Sequence, residues 1–246
     1  MLQQAIWLAK KEVRQSWVAI LFTAVVTVLL ALFTTQLLEQ SVRKLFAMEP
    51  FFYNSFMIDI MFIGITPSLA AIFMSGPYLS YRTINEDPYV KRMAFFRSLP
   101  IPIKTLALSR TFIMLATLIS MSSVFYMIIA FGLSDTFFQN ITPNEFLVFI
   151  FFWFGYTLAL GGFNPFIEYG TSGKVLHITP FVLIGVLIII MVIFRYLSNY
   201  SFVEWSLLLV KDFGWVIALI SLLVGIIGCF SWNQLLTNRL LKRDFL

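Results

Sequence analysis

Six stretches free of Asp, Glu, Lys and Arg, at positions 15–38, 60–81, 111–134, 146–167, 175–194 and 213–238, take up more than half of this chain. Each is between 20 and 26 residues long. A helix needs about 20 residues to cross roughly 30 Å of hydrocarbon, and only a helix or a closed barrel satisfies its own backbone hydrogen bonds there. The pattern therefore predicts an all-α membrane protein with six transmembrane helices, over about 17–38, 56–79, 106–133, 145–166, 176–196 and 213–235, in a single domain spanning 1–246. Composition agrees, since 60% hydrophobic and 12% charged residues leave too little charged surface for a soluble domain of 246 residues.

The cations predict an orientation. With the amino terminus in the cytoplasm, inner segments hold Lys10, Lys11, Arg14, Arg82, Lys91, Arg92, Arg97, Lys104, Arg110, Lys174, Arg239, Lys242 and Arg243. Outer segments hold Arg43, Lys44, Arg195 and Lys211. By the positive-inside rule both termini are expected in the cytoplasm. The net charge of +5 calls for no nucleic-acid partner, because anionic inner-leaflet lipids account for it. The hydrophobic run after Arg14 is too long for a signal-peptide core and lacks a small-residue cleavage pattern, so the first span is expected to stay attached.

Between spans the chain is punctuated. Residues 2–15 place Leu2, Ile6, Ala9 and Val13 on one helical stripe, with Gln3, Lys10, Lys11 and Arg14 opposite, the spacing of an amphipathic helix lying in the headgroup layer. Asp87 before Pro88 is a helix-start signal, with the carboxylate expected to cap free amides. A short helix from Pro88 to about Ser98 follows, and Pro100 and Pro102 stop it. The third span restarts near Ile103. Before the last span, "SFVEWSLLLV" is apolar but too short to cross, which predicts a re-entrant or interfacial helix. A basic tail, "NRLLKRDFL", closes the chain.

Catalytic constellations are weak here. "GTSG", Gly170 to Gly173, resembles a nucleophile signature of intramembrane serine proteases, but Ser172 and the sole histidine, His177, fall in one turn and not on separate helices. A phosphate loop ending at Gly173 and Lys174 would need glycine where Glu168 stands. One cysteine, Cys229, and one histidine do not make an ordinary metal site, so no metal or other cofactor is expected in the chain. Asp59, Glu145, Arg195 and Asp212 sit near predicted outer ends, which leaves a proton-driven pump little to work with. Pro67, Pro77 and Pro165 are expected to kink their helices.

The arrangement resembles the membrane (permease) subunit of an ABC exporter of the ABC-type-2 class, over the whole chain. The local likeness is "FFRSLPIPIKTLALSR", Phe95 to Arg110: bacterial members commonly carry Leu-Pro-Ile, then a polar or basic residue, then a Leu-Ser-Arg entry into the third span, here Leu99, Pro100, Ile101, Lys104, Leu108, Ser109 and Arg110. The resemblance implies that the first cytoplasmic loop carries a coupling helix docking on a separate ATP-binding subunit. Tyr89, Lys91, Arg92, Phe95, Phe96 and Arg97 are then the contact candidates, with Leu99 and Pro100 fixing the elbow. It further implies a second permease chain, identical or not, ATP and Mg on the partner subunit, a bacterial cell membrane, and a pathway between helices two and five lined by Phe62, Thr66, Phe73, Ile184 and Ile188. An apolar lining suits a lipid, peptide or drug-like cargo. Rival readings are an ATP-independent channel or secondary transporter, and a structural subunit of a larger membrane complex.

Overall fold

The computed structural model describes residues 1–47 and 55–243. The expected connection at 39–55 and the basic tail therefore lie partly outside the described residues. The protein is all-α, 88% helical, with no strand among the described residues. In chain order the elements are α1 (Leu2–Gln15), α2 (Trp17–Val42), α3 (Ser55–Ala70), α4 (Gly76–Leu79), α5 (Thr83–Glu86), α6 (Pro88–Arg97), α7 (Ile103–Gly132), α8 (Asp135–Asn140), α9 (Pro143–Gly161), α10 (Phe163–Gly170), α11 (Gly173–Ser198), α12 (Phe202–Phe213) and α13 (Trp215–Lys242). Among the described residues five helical stretches are long and apolar enough to cross a membrane: Trp17–Phe46, Ile103–Gly132, Pro143–Gly170, Gly173–Ser198 and Trp215–Lys242. This is a multi-pass membrane protein.

The second expected span differs from one continuous helix over 56–79. It is α-helical only over Ser55–Asp59, widens to a π-helix over Ile60–Ile65 and tightens to a 3-10 turn over Thr66–Ala70. Ala71 is extended, and helix returns for one turn at Gly76–Leu79. Pro67 explains the break, since it lacks an amide and its ring collides with the preceding turn. Side chains repair part of the loss: Ser68 Oγ donates to the Ile65 carbonyl (2.6 Å), and Asn164 Nδ2, from α10, donates to the Pro67 carbonyl (3.0 Å). Pro77 sits in the first turn of α4. Pro165 sits near the start of α10, just past the joint at Gly162.

Helix α7 runs through the middle of the bundle and packs on α1, α2, α9 and α13. Its Phe125 joins Phe62 of α3 and Phe149 and Trp153 of α9 in an aromatic core, where Phe62 meets Phe125 and Phe149 (5.2 Å between centroids) edge to face and Trp153 (5.0 Å) at a tilt. The tightest pairing is α9 on α13. A Cβ on Gly155 would lie 2.4 Å from the Ser221 backbone, and one on Gly225 2.6 Å from the Gly155 carbonyl, so small residues let the two backbones touch. By contrast α11 buries only Gly173, Leu176 and Met191. Its long row of exposed Val, Ile and Leu is a surface for lipid or another membrane helix.

Helix α12 begins where the apolar stretch before the last span was expected to form a short helix. A capping box starts it: Ser201 Oγ accepts from the Glu204 amide (3.1 Å) and the Glu204 carboxylate accepts from the Ser201 amide (2.9 Å).

Candidate functional site

Helix α6 has two stripes. Tyr89, Arg92, Met93 and Phe96 recur at helical spacing and face the protein, with Met93 fully buried. Lys91 and Phe95 lie on the opposite side, and Leu99 follows in the elbow just past the helix end; Phe95 is 62% exposed and Leu99 38%. The expected contact residues thus divide. Tyr89, Arg92 and Phe96 turn inward, whereas Lys91, Phe95, Arg97, Leu99 and Pro100 lie on the exposed side. The helix ends as expected at the Ser98–Pro102 elbow, and α7 starts at Ile103.

What holds the inner stripe is a buried ion cluster. Arg110, about two turns into α7, is 2% exposed and donates through Nη2 to Glu12 Oε1 of α1 at 2.6 Å, through Nη1 to Glu12 Oε2, and through Nη1 to the Tyr169 hydroxyl at 3.0 Å. Arg92 of α6 reaches the same carboxylate at 3.2 Å. The Arg110 guanidinium also lies 4.4 Å from the Tyr169 ring centroid and 5.4 Å from that of Phe96. One carboxylate therefore joins α1, α6 and α7, with α10 attached through Tyr169. Leu8, Leu106, Ala107, Leu236 and Leu240 pack around the cluster. Behind it Tyr78 donates to Glu168 Oε1 (2.6 Å), and Tyr89 pairs with Ser75 Oγ (3.4 Å). Burial, with Glu168 and Tyr169 adding to it, pushes the Tyr89 phenol well above its ordinary range, so it keeps its proton.

Helix α1 accordingly differs in detail from a simple lipid anchor. Its protein-facing side is Ala5, Leu8, Ala9 and Glu12. Leu2 and Ile6 form an adjoining exposed apolar stripe, and Lys10, Lys11 and Arg14 an exposed cationic one. Three sectors on one helix suit a helix lying between protein, acyl chains and headgroups.

A second junction ties the α5–α6 segment to α11. The Asp87 carboxylate was expected to cap α6; instead Asp87 takes a left-handed backbone (φ 43°) and its Oδ1 accepts from the Gly173 amide at the start of α11. The reason is proximity. The Thr83 carbonyl lies 1.9 Å from where a Gly173 Cβ would stand, so only glycine admits this crossing. The "GTSG" stretch is thus a contact between segments, and His177 Nδ1 is engaged with the Gly173 carbonyl one turn away (3.1 Å). The end of α13 closes the junction: Arg239 Nε donates to the Gly170 carbonyl (3.1 Å) and Arg243 to that of Thr171 (2.7 Å), while Arg97 of α6 donates to the Arg243 carbonyl (2.7 Å). Cations at the carbonyl end of α10 also complement its dipole.

The pathway candidates are not brought together. Phe62 and Thr66 are fully buried inside the bundle, Phe73 is half-buried in the extended segment after α3, and Ile184 (55% exposed) and Ile188 (43% exposed) face outward on α11. On the face opposite α6, Asp59 at the α3 break is buried and accepts from the first amides of α12, Phe202 (3.1 Å) and Val203 (3.0 Å). Arg195 donates to Ser55 there, and Lys44 pairs with Glu204 at 2.8 Å. Sequence reasoning did not single out Glu12, Tyr169 or Glu168. The available signal was one carboxylate, Glu12, close in sequence to Lys10, Lys11 and Arg14 but at helical spacing on the side of α1 that carries Ala5, Leu8 and Ala9. Compared with family models, curated proteins and solved structures, the chain matches none.

Proposed function

We propose that this chain is the permease subunit of an ATP-driven ABC exporter, and that the exposed stripe of α6 is its contact with a separate ATP-binding subunit. The carrying observation is that an exposed aromatic, Phe95, flanked by Lys91 and Leu99, stands on a helix whose other side is locked into the bundle. Aromatic side chains seated in a partner's groove supply most of the energy of such contacts. A helix tied at once to α1, α7 and α10 moves them together when its partner pushes. The residues in contact are then Lys91, Phe95, Leu99 and Pro100, with Arg97 at the edge, while Tyr89, Arg92 and Phe96 transmit.

The remaining parts follow from this reading. ATP and Mg belong to the partner subunit. Two permease chains face each other, and the apolar stripe of α11 with Ile184 and Ile188 lies toward the second chain, where a hydrophobic or amphipathic cargo, such as a lipid, peptide or drug-like molecule, passes outward. The α6 face is cytoplasmic, in keeping with the excess of cations on that side. The test is co-purification of the tagged full chain from its native membrane. An ABC-type ATPase retained by the wild type and lost from Phe95→Ala, with the variant's melting midpoint unchanged, supports the reading; recovery of the intact chain with no such ATPase in either case overturns it.

A further inference from the structure

The joint between α1 and α2 fixes where α1 lies. Ser16 alone separates the two helices, and α2 opens a membrane-crossing stretch whose first residues, Trp17 and Val18, are exposed. Helix α1 therefore ends at the membrane boundary, the depth at which an amphipathic helix meets headgroups.

Its exposed side complements an acidic surface. Leu2 and Ile6 are exposed, and so, further round the helix, is Trp7, with Lys11 Nζ 5.6 Å from its ring centroid. Lys10, Lys11 and Arg14 are exposed as well, and none of them forms an ion pair among the described residues. The one carboxylate of the helix, Glu12, is on the buried side. Three cations with no acidic neighbour on their own side, next to exposed apolar side chains, fit an anionic bilayer surface, where each contributes about a fivefold bias.

The inner side of the same helix holds α6. Glu12 lies between Lys11 and Arg14 in sequence, and its carboxylate meets Arg92 of α6 at 3.2 Å and Arg110 of α7 at 2.6 Å. Leu8 of α1 and Met93 of α6 belong to one buried apolar cluster. A helix that lifts or tilts on the membrane carries Glu12 with it, so α6 is held only as well as α1 is seated.

We propose that α1 docks on anionic phospholipid through Lys10, Lys11 and Arg14, and that Glu12, on its other face, relays this docking to α6 through Arg92. The inference stands on the contacts of α1 and is independent of the ATPase reading. The test places the purified full chain in nanodiscs of phosphatidylcholine alone, or of phosphatidylcholine mixed equally with phosphatidylglycerol, and follows hydrogen exchange by mass spectrometry over Leu2–Gln15 and Pro88–Arg97. Both segments are expected to exchange at least about fivefold more slowly with phosphatidylglycerol present. The triple variant Lys10→Gln, Lys11→Gln, Arg14→Gln is expected to lose the response in both segments. Arg92→Ala is expected to keep it in α1 and lose most of it in α6. Melting midpoints report whether each variant is folded; the triple variant changes only exposed side chains. Equal exchange of α1 in the two lipids, or an undiminished response in the triple variant, overturns the docking surface. A full α6 response in folded Arg92→Ala overturns the relay.

Discussion

Glu12 and Arg110, 98 residues apart in sequence, meet through both carboxylate oxygens and both terminal guanidinium nitrogens, inside the protein and beside Tyr169. A buried pair of this kind adds little net stability against a well-packed apolar pair, but removing one partner strands the other. Glu12→Gln is therefore expected to cost about 3–5 kcal/mol. The double variant Glu12→Leu with Arg110→Met is expected to recover most of it. Melting of the purified variants in one detergent checks both, and a single variant as stable as wild type would remove the cluster from the account.

Gly173 carries a second prediction. The Thr83 carbonyl occupies the place of a Cβ, and the obstacle is backbone. Gly173→Ala is expected to lower stability by about 1–3 kcal/mol or more, as overpacking does. Gly185→Ala, on the same helix with open space around it, is expected to be neutral. The difference between their melting midpoints isolates the α5–α11 crossing from any general effect of glycine replacement.

The two stripes of α6 predict opposite behaviour from neighbouring residues. Phe95→Ala, on the exposed side, is expected to leave stability within about 0.5 kcal/mol of wild type. Met93→Ala, fully buried two positions earlier, is expected to cost about 2–5 kcal/mol. Thermal melts of both, beside a transport or ATPase-association readout, separate a docking defect from a folding one.

Much of this was legible from sequence because the membrane imposes coarse rules. Uncharged runs mark the long helices, and Asp87-Pro88 together with Pro100 and Pro102 bracket α6 to within a residue or so. The second span was less legible: Pro67 announced a kink, but its own carbonyl is met by Asn164 reaching across from α10, a long-range contact that local pattern does not encode. Arg92 and Arg110 read as surface cations because their partner, Glu12, is far away in sequence. Asp87 read as a cap because nothing local shows that Gly173 would arrive beside it. Periodicity could have divided α6, since Tyr89, Met93 and Phe96 follow helical spacing, yet the charge on Arg92 masked the inner stripe.

Asp59 gives a prediction for the opposite face. Its carboxylate accepts from two amides at the start of α12, so Asp59→Ala is expected to cost about 1–2 kcal/mol and to loosen that helix first. Hydrogen exchange followed by mass spectrometry is expected to show faster exchange across Phe202–Phe213, with α7 unchanged. Uniform acceleration through the bundle would mean that Asp59 holds the whole fold rather than α12.

The most direct measurement of the central claim is photocrosslinking in intact cells from a reactive amino acid placed at Phe95, with the same group at buried Met93 as the control. The account predicts that an ABC-type ATPase is captured from position 95 and not from 93. Capture of lipid alone from a folded, membrane-inserted Phe95 variant would contradict it, and would make the exposed stripe of α6 a membrane anchor.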